Sequence, residues 1–324
     1  MTRRPHAHLY GTDGFDPDVS ANLHSFYRVL GYLTYAVTKL GRGSLLVVQR
    51  PGDRGIDASA YEQVHVYDYI GRDIGGTLES LLSHPDVQIF TSCQARGVDL
   101  EKRFPVFSGR IHVQLPPVDI SLWTSPSMPA VKEYPLVHVG NYKPYYAEGV
   151  DTYATVLFEL ARMGRLSIWG RGWDDVNAPQ SAVKGRIRLK KVSEVYRHSG
   201  LAIGMMYPFQ REVTISGRFW QAPLNGCLVM SEPSLYADGL PGVASFETVT
   251  DVLALANNTD RPSSVAIARE ASAFWRQCWD DSLRLVRSLV PTSAAARSTS
   301  LRPGSSRLIA RTFDRARRLR HGVF

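Results

Sequence analysis

This sequence predicts an α/β protein of two domains, each built on a parallel sheet, and three observations lead there. Short apolar runs alternate with longer amphipathic segments along most of the chain, the pattern of repeated strand–helix units. The alternation stops at Leu115–Val131, LPPVDISLWTSPSMPAV, which holds four prolines and no helical period, and then it restarts. The 324 residues are also long for one core and suit two domains of roughly 150 residues. The expected division is 1–122, 123–290 and a basic tail over 291–324.

In the first half the expected strands are Ala7–Tyr10, Ser44–Gln49, Val64–Tyr67, Val87–Thr91 and Ile111–Gln114, with helices at Ser20–Leu40 and Gly76–Ser83. In the second half they are Leu136–Val139, Leu166–Trp169, Leu201–Met205, Cys227–Met230 and Ala244–Phe246. The helices expected there are Val150–Met163, Val192–His198, Val213–Asn225, Val249–Ala256 and Ser263–Leu289, the last ending before Pro291. No repeat of 20–50 residues is visible, which argues against a solenoid or propeller. Two such domains leave a cleft between their sheet edges, a geometry suited to joining two different substrates.

The densest information lies in Ser199–Glu232, SGLAIGMMYPFQREVTISGRFWQAPLNGCLVMSE. An apolar run meets a loop holding Tyr207, Pro208, Arg211 and Glu212, then a helical segment, Gly226 and a second apolar run. That order is one βαβ unit with an arginine-bearing loop at the carboxyl end of its first strand. Ligands of open parallel sheets bind at that end, where helix N-termini offer N–H groups to phosphate. A phosphate-containing ligand is the expectation.

Composition narrows the classes. No stretch reaches the ~20 apolar residues of a membrane span, and the N-terminus lacks the apolar segment of a secretory signal. Cys93, Cys227 and Cys278 are too few and scattered for a disulfide framework or zinc site, so a cytoplasmic location is expected. The net charge of +8 is uneven: Arg297–Phe324 holds eight arginines against one acid, Asp314, and so supplies +7 of it. A nearly neutral body argues against a nucleic-acid partner, which calls for positive charge on the folded domain.

Four segments then carry a likeness. Leu115–Trp123, LPPVDISLW, leaves the first domain, and Leu136–Tyr146, LVHVGNYKPYY, reads as a strand with a glycine loop. Leu166–Asp175, LSIWGRGWDD, is a second strand and loop, and Ser216–Glu232, SGRFWQAPLNGCLVMSE, runs through Ser, Arg, Phe, Pro and Gly into a strand. With these segments in this order, the chain resembles the GT-B glycosyltransferases, within the glycosyltransferase 1 superfamily and its spore-maturation (CgeB-type) branch. The likeness spans about residues 110–290.

The resemblance implies two Rossmann-like domains whose parallel sheets face each other across a cleft, residues 1–122 taking the acceptor and 123–290 a nucleotide sugar. It implies transfer of a sugar from a nucleotide-diphosphate donor to a glycan, lipid-linked or small-molecule acceptor, with no metal and no cofactor. Donor contacts fall on Gly140, Asn141, Gly170, Arg171, Arg211, Ser216, Arg218 and Gln221. Basic side chains would neutralise the leaving diphosphate. Other readings stand beside these: Gly140–Asn141 also makes a plain turn, Lys143 a solvated cation, Trp173 a cover for an apolar seam, and Arg211 an ion pair with Glu212. Gln221 stands where the family has a glutamate that accepts from the ribose; an amide accepts but carries no charge. That departure keeps open a catalytically silent relative acting as a binding or assembly subunit.

A base for the acceptor hydroxyl is sought in the first domain. Asp13 in YGTDGFD has the right chemistry, with Asp16 and His24 next, although Gly-Thr-Asp-Gly is equally a turn and a helix cap. Val183–Val195, VKGRIRLKKVSEV, lies where the superfamily contacts the base, or is a basic solvated edge. Leu308, Ile309, Phe313, Leu319 and Val323 fall on one face of the tail, which fits an interfacial helix on an anionic membrane surface or a solvated end.

Overall fold

The computed structural model describes residues 5–11, 17–37, 39–49, 51–52, 54–69, 73–124, 129, 132–142, 152–174, 176, 178–206, 211, 213–234, 239–256 and 261–289. They form two compact units, the described residues of 5–119 with 276–289, and those of 120–275.

The first unit contains β1 (His6–Tyr10), α1 (Pro17–Val29), β2 (Leu33–Val37), β3 (Gly43–Val48), β4 (Tyr61–Asp68), α2 (Gly75–Ser80), β5 (Val87–Thr91), α3 (Gln94–Arg103) and β6 (Ile111–Val113). The six strands pair in parallel in the order β2-β1-β3-β4-β5-β6. Alternate residues of β3 serve opposite faces, as strand geometry requires. Leu46 and Val48 pack with Leu78 of α2 and Leu100 of α3. Leu45 and Val47 pack with Leu23 and Phe26 of α1.

The helix expected over Ser20–Leu40 ends early, because Gly31 at φ 94° turns the chain and the Tyr32 N–H bonds the Tyr27 carbonyl at 3.0 Å. Leu33–Val37, rich in β-branched and aromatic residues, then pairs with β1 as an edge strand. The expected strand ends at Gln49 and Gln114 lie one residue beyond β3 and β6.

The second unit contains β7 (Tyr134–Val139), α4 (Thr152–Arg162), β8 (Leu166–Trp169), β9 (Val183–Gly185), α5 (Leu189–Arg197), β10 (Ser199–Gly204), α6 (Arg218–Gln221), β11 (Leu228–Ser231), β12 (Val243–Ser245) and α7 (Val249–Ala256). Its parallel sheet runs β12-β11-β10-β7-β8-β9. Counted from its own first strand this is the doubly wound order 3-2-1-4-5-6. The chain lays β8 and β9 on one side of β7, then β10, β11 and β12 on the other. The switch point therefore falls between β7 and β10.

Two expectations change. The helix over Val213–Asn225 is only the single turn of α6, followed by a 3-10 turn at Pro223–Asn225 that Gly226 closes at φ 67°. Pro223 has no N–H for an α-helical bond, so the ladder stops. The last helix, α8 (Arg261–Leu289), does not stay in the second domain. It passes out of that unit after Trp275, and Leu283 and Val286 join the α1 face of the first core. The first boundary lies at Asp119 rather than 122. The expected tail lies outside the described residues. Among the described residues no helix is long and apolar enough to cross a membrane.

Candidate active site

Arg218 sits astride the switch point of the second sheet. Its Nε donates to the Val139 carbonyl at the end of β7, and its Nη1 to the Met205 carbonyl just past β10, both at 2.6 Å. Nη1 also reaches the Ser216 hydroxyl at 3.3 Å. Those acceptors are neutral, so the bonds fix the guanidinium, and among the described residues no carboxylate pairs with it. Gly140 explains how it fits: a Cβ there would overlap Arg218 Nη2.

The loops after β7 and β8 are latched together. The Arg171 N–H donates to the Asn141 side-chain oxygen at 3.0 Å, and the Tyr142 N–H to the Arg171 carbonyl at 2.8 Å. Trp173, wholly buried, donates its indole N–H to the Gly140 carbonyl at 2.7 Å and packs in the core. It covers the apolar seam, the blander of its two expected roles. A Trp173→Phe change should lower stability by ~1–3 kcal/mol, because it leaves the half-buried Gly140 carbonyl without its donor; a melting curve unchanged from the parent protein would refute this role. Gly170 lies so close to the Gly140 carbonyl that a Cβ would overlap it. Arg171 is exposed.

Arg211 is held differently. Its Nε pairs with Glu232 Oε1 at 3.1 Å, and its guanidinium lies 5.1 Å from the centre of the Tyr153 ring. Glu232 is 0% exposed; it also accepts from the Met206 N–H at 2.8 Å and the Ser231 hydroxyl at 3.0 Å. Burial raises its carboxyl pKa, against the Met206 N–H and the Arg211 charge. Among the described residues Arg211 meets Glu232; Glu212 lies outside them. His138, on β7 and fully buried, bonds the Ile203 carbonyl through Nδ1 at 3.0 Å. Burial first, then Arg218, pushes its pKa down to about 3, so it is neutral at pH 7.

The structure therefore gathers Gly140, Asn141, Gly170, Arg171, Ser216 and Arg218 around the ends of β7, β8 and β10. Arg211 stands over β10 and β11, and Gln221 is buried, 5% exposed. α6 is only one turn long, so among the described residues the guanidinium groups are the charges gathered there. Asp13, Asp16 and Lys143 lie outside the described residues. His24, half-buried on α1, has its pKa lowered by burial and then by Arg28. Glu232, Tyr153 and His138 have no signal in the sequence, since their partners come from other strands or helices. Among the described residues no group of three or more His, Cys, Asp or Glu is placed to hold a metal ion.

No protein-family model and no curated protein sequence matches the chain. Solved structures do. AviGT4, a glycosyltransferase involved in avilamycin A biosynthesis, matches with a TM-score of 0.59 at 14% identity, over 88% of this chain and 98% of its own. The T4 phage enzyme BGT in complex with UDP and Mn2+ matches with a TM-score of 0.57 at 8% identity, over 88% and 99%. Sucrose-phosphate synthase from Thermosynechococcus elongatus matches with a TM-score of 0.54 at 11% identity, over 89% and 99%. What these likenesses establish is the fold: two six-stranded parallel α/β units, the architecture of the GT-B glycosyltransferases.

Proposed function

We propose that this chain is a glycosyltransferase of the glycosyltransferase 1 superfamily, in its CgeB-type branch. It moves a sugar from a nucleotide-diphosphate donor, held by the second unit, to a glycan, lipid-linked or small-molecule acceptor taken by the first. The observation that supports this most directly is Arg218, a guanidinium fixed across the β7/β10 switch point with no carboxylate paired to it among the described residues. A cation and a phosphate charge 4 Å apart attract by about 4 kcal/mol at an effective dielectric of 20, before desolvation. The matching charge of the departing diphosphate is what such a group stabilises in the transition state. Arg171 adds a second cation at the rim, and Arg211 a third, partly balanced by Glu232. With guanidinium groups doing this work, neither a metal nor a cofactor is needed. Asp13 remains the proposed base, and the acceptor is not a nucleic acid. The arginine-rich tail is proposed to rest on an anionic membrane surface, on the inner face of which the acceptor would be met.

Calorimetric titration with UDP, GDP, ADP and TDP tests the reading. At least one nucleotide should bind, and ligand at 100 times its Kd should add roughly 2.7 kcal/mol of stability. Arg218→Ala should weaken that binding at least tenfold, but it also removes bonds to two carbonyls. Arg171→Ala is the cleaner variant, because the side chain is exposed: affinity should fall with Tm unchanged. Failure of every nucleotide to bind would overturn the proposal. A second reading rests on Gln221, an uncharged amide where the resemblance expects a carboxylate. A protein that binds a nucleotide sugar and neither hydrolyses nor transfers it would be the silent binding subunit instead.

A further inference from the structure

One edge of the second sheet carries a row of unpaired charge on its solvent side. β9 is the outermost strand there, and residues 178–193, which run through it, hold five cations and no acid. Exposure alternates along this stretch: Lys184, Arg186, Arg188 and Lys190 are exposed, while Val183, Gly185, Ile187 and Leu189 are half-buried. The four cations lie within seven residues, so their row is no longer than about 20 Å. Among the described residues no carboxylate pairs with any of the four. Glu194 is taken by Lys191 at 2.6 Å, and the Lys184 ammonium donates to the neutral Ser181 carbonyl at 3.1 Å.

The usual structural uses of charge do not account for this row. Edge strands carry lysine to discourage pairing with a neighbour, but only Lys184 belongs to β9, and the other three lie past its end. Helices gain from acids in their first turn; α5 has none and holds Lys190 and Lys191 there, where positive charge is disfavoured. Cations this close together also repel one another. An anionic surface laid against the edge would reverse the sign of each of these effects.

The row also selects the class of surface. Residues 120–275 carry 15 Lys and Arg against 14 Asp and Glu, so a third of the unit's positive charge sits on an otherwise balanced body. Single-stranded nucleic acid calls for aromatic side chains on which bases stack, and residues 178–193 hold none. A bilayer makes no such demand: its head groups move laterally and gather under exposed cations, each Lys or Arg adding to the attraction. We propose that the outer edge of the second sheet rests on an anionic membrane through Lys184, Arg186, Arg188 and Lys190. The contact is built into the folded unit and depends neither on the arginine-rich tail nor on the transferase reading. The Gly170 N–H donates to the Gly185 carbonyl at 2.9 Å, so the loop that bears Arg171 adjoins the row. Head groups held there would lie beside the candidate site.

Flotation of the intact chain with phosphatidylcholine vesicles containing about a third phosphatidylglycerol tests the contact. The row variant combines Lys184→Glu, Arg186→Glu, Arg188→Glu and Lys190→Glu and keeps the tail. A control of equal net charge combines Arg42→Glu, Lys102→Glu, Arg269→Glu and Arg276→Glu, all exposed and outside the row. Partition into the vesicles should fall at least tenfold in the row variant and less than about threefold in the control. Because four reversals can cost fold stability, Arg186→Gln with Arg188→Gln is measured beside them and should lower partition at least threefold with Tm unchanged. Equal partition of the parent and row variants would show that the tail carries the binding and would overturn the proposal. So would equal losses in the row and control variants, or a parent chain that ignores anionic vesicles. Loss of binding to a DNA or RNA oligonucleotide with vesicle binding intact would make the partner a nucleic acid and overturn it as well.

Discussion

Lowering the pH from 7 to about 5 should destabilise this protein before most of its carboxylates titrate. Three histidines are held neutral inside it. Burial takes His65 on β4 down to about 3, with the nearby His112 adding to the effect, and His138 on β7 also to about 3. His112 on β6, half-buried, is lowered to about 4. Each folded value lies below the ordinary 6.5, so each contribution is complete above pH 6.5 and is lost as the pH falls toward the folded value. The slope reaches ~1.4 kcal/mol per pH unit for each histidine, two of them in the first unit and one in the second, which is a large share of an ordinary domain's reserve within two units. Glu232, whose pKa is raised, works in the opposite sense, while His24, also lowered by burial, adds to the loss. Urea midpoints measured from pH 7.5 to 4.5 should fall steadily, and His65→Gln should reduce the slope for the first unit. A flat profile between 6.5 and 4.5 would refute the account.

Gly170→Ala should be the most damaging single methyl in the second unit. The new Cβ would meet the main-chain carbonyl of Gly140, which cannot swing aside as a side chain can. Gly140 is itself tied on both sides, its N–H donating to Trp169 and its carbonyl accepting from Trp173. Relief must come from prising apart the loops after β7 and β8, which also carry Arg171 and support Arg218. A loss of at least ~2–3 kcal/mol is expected from such strain, with nucleotide affinity falling more than tenfold. Differential scanning fluorimetry and a UDP titration on one preparation would read both. A variant that melts and binds like the parent would show that the overlap is relieved cheaply.

How much of this was legible beforehand follows from where each signal resides. The strands of both sheets show as apolar runs, and β8 and α7 lie at their expected residues. Most of their residues are apolar because both faces are covered, although β4 also carries Gln63 and His65. β2 was hidden inside an amphipathic stretch that only Gly31 interrupts, and β9 is three residues long, too short to show a period. For the site, the glycines and arginines of the strand-end loops were visible as residue types. Their division of labour was not. That Arg218 bonds two carbonyls while Arg211 meets Glu232 depends on which strands are neighbours, and strand order is not written in local pattern.

The return of α8 to the first unit has a consequence for biosynthesis. Leu283 and Val286 complete a core whose other members are residues 7–90. A nascent chain that has emerged through Asp119 therefore exposes the greasy surface of α1 with its cover not yet translated. The intervening unit of about 150 residues takes on the order of 10–30 s to synthesise at ~5–20 residues per second. That later unit is continuous and closes by itself, so the half made first is the half that finishes last. A truncation anywhere before residue 276 would strand it with that surface uncovered.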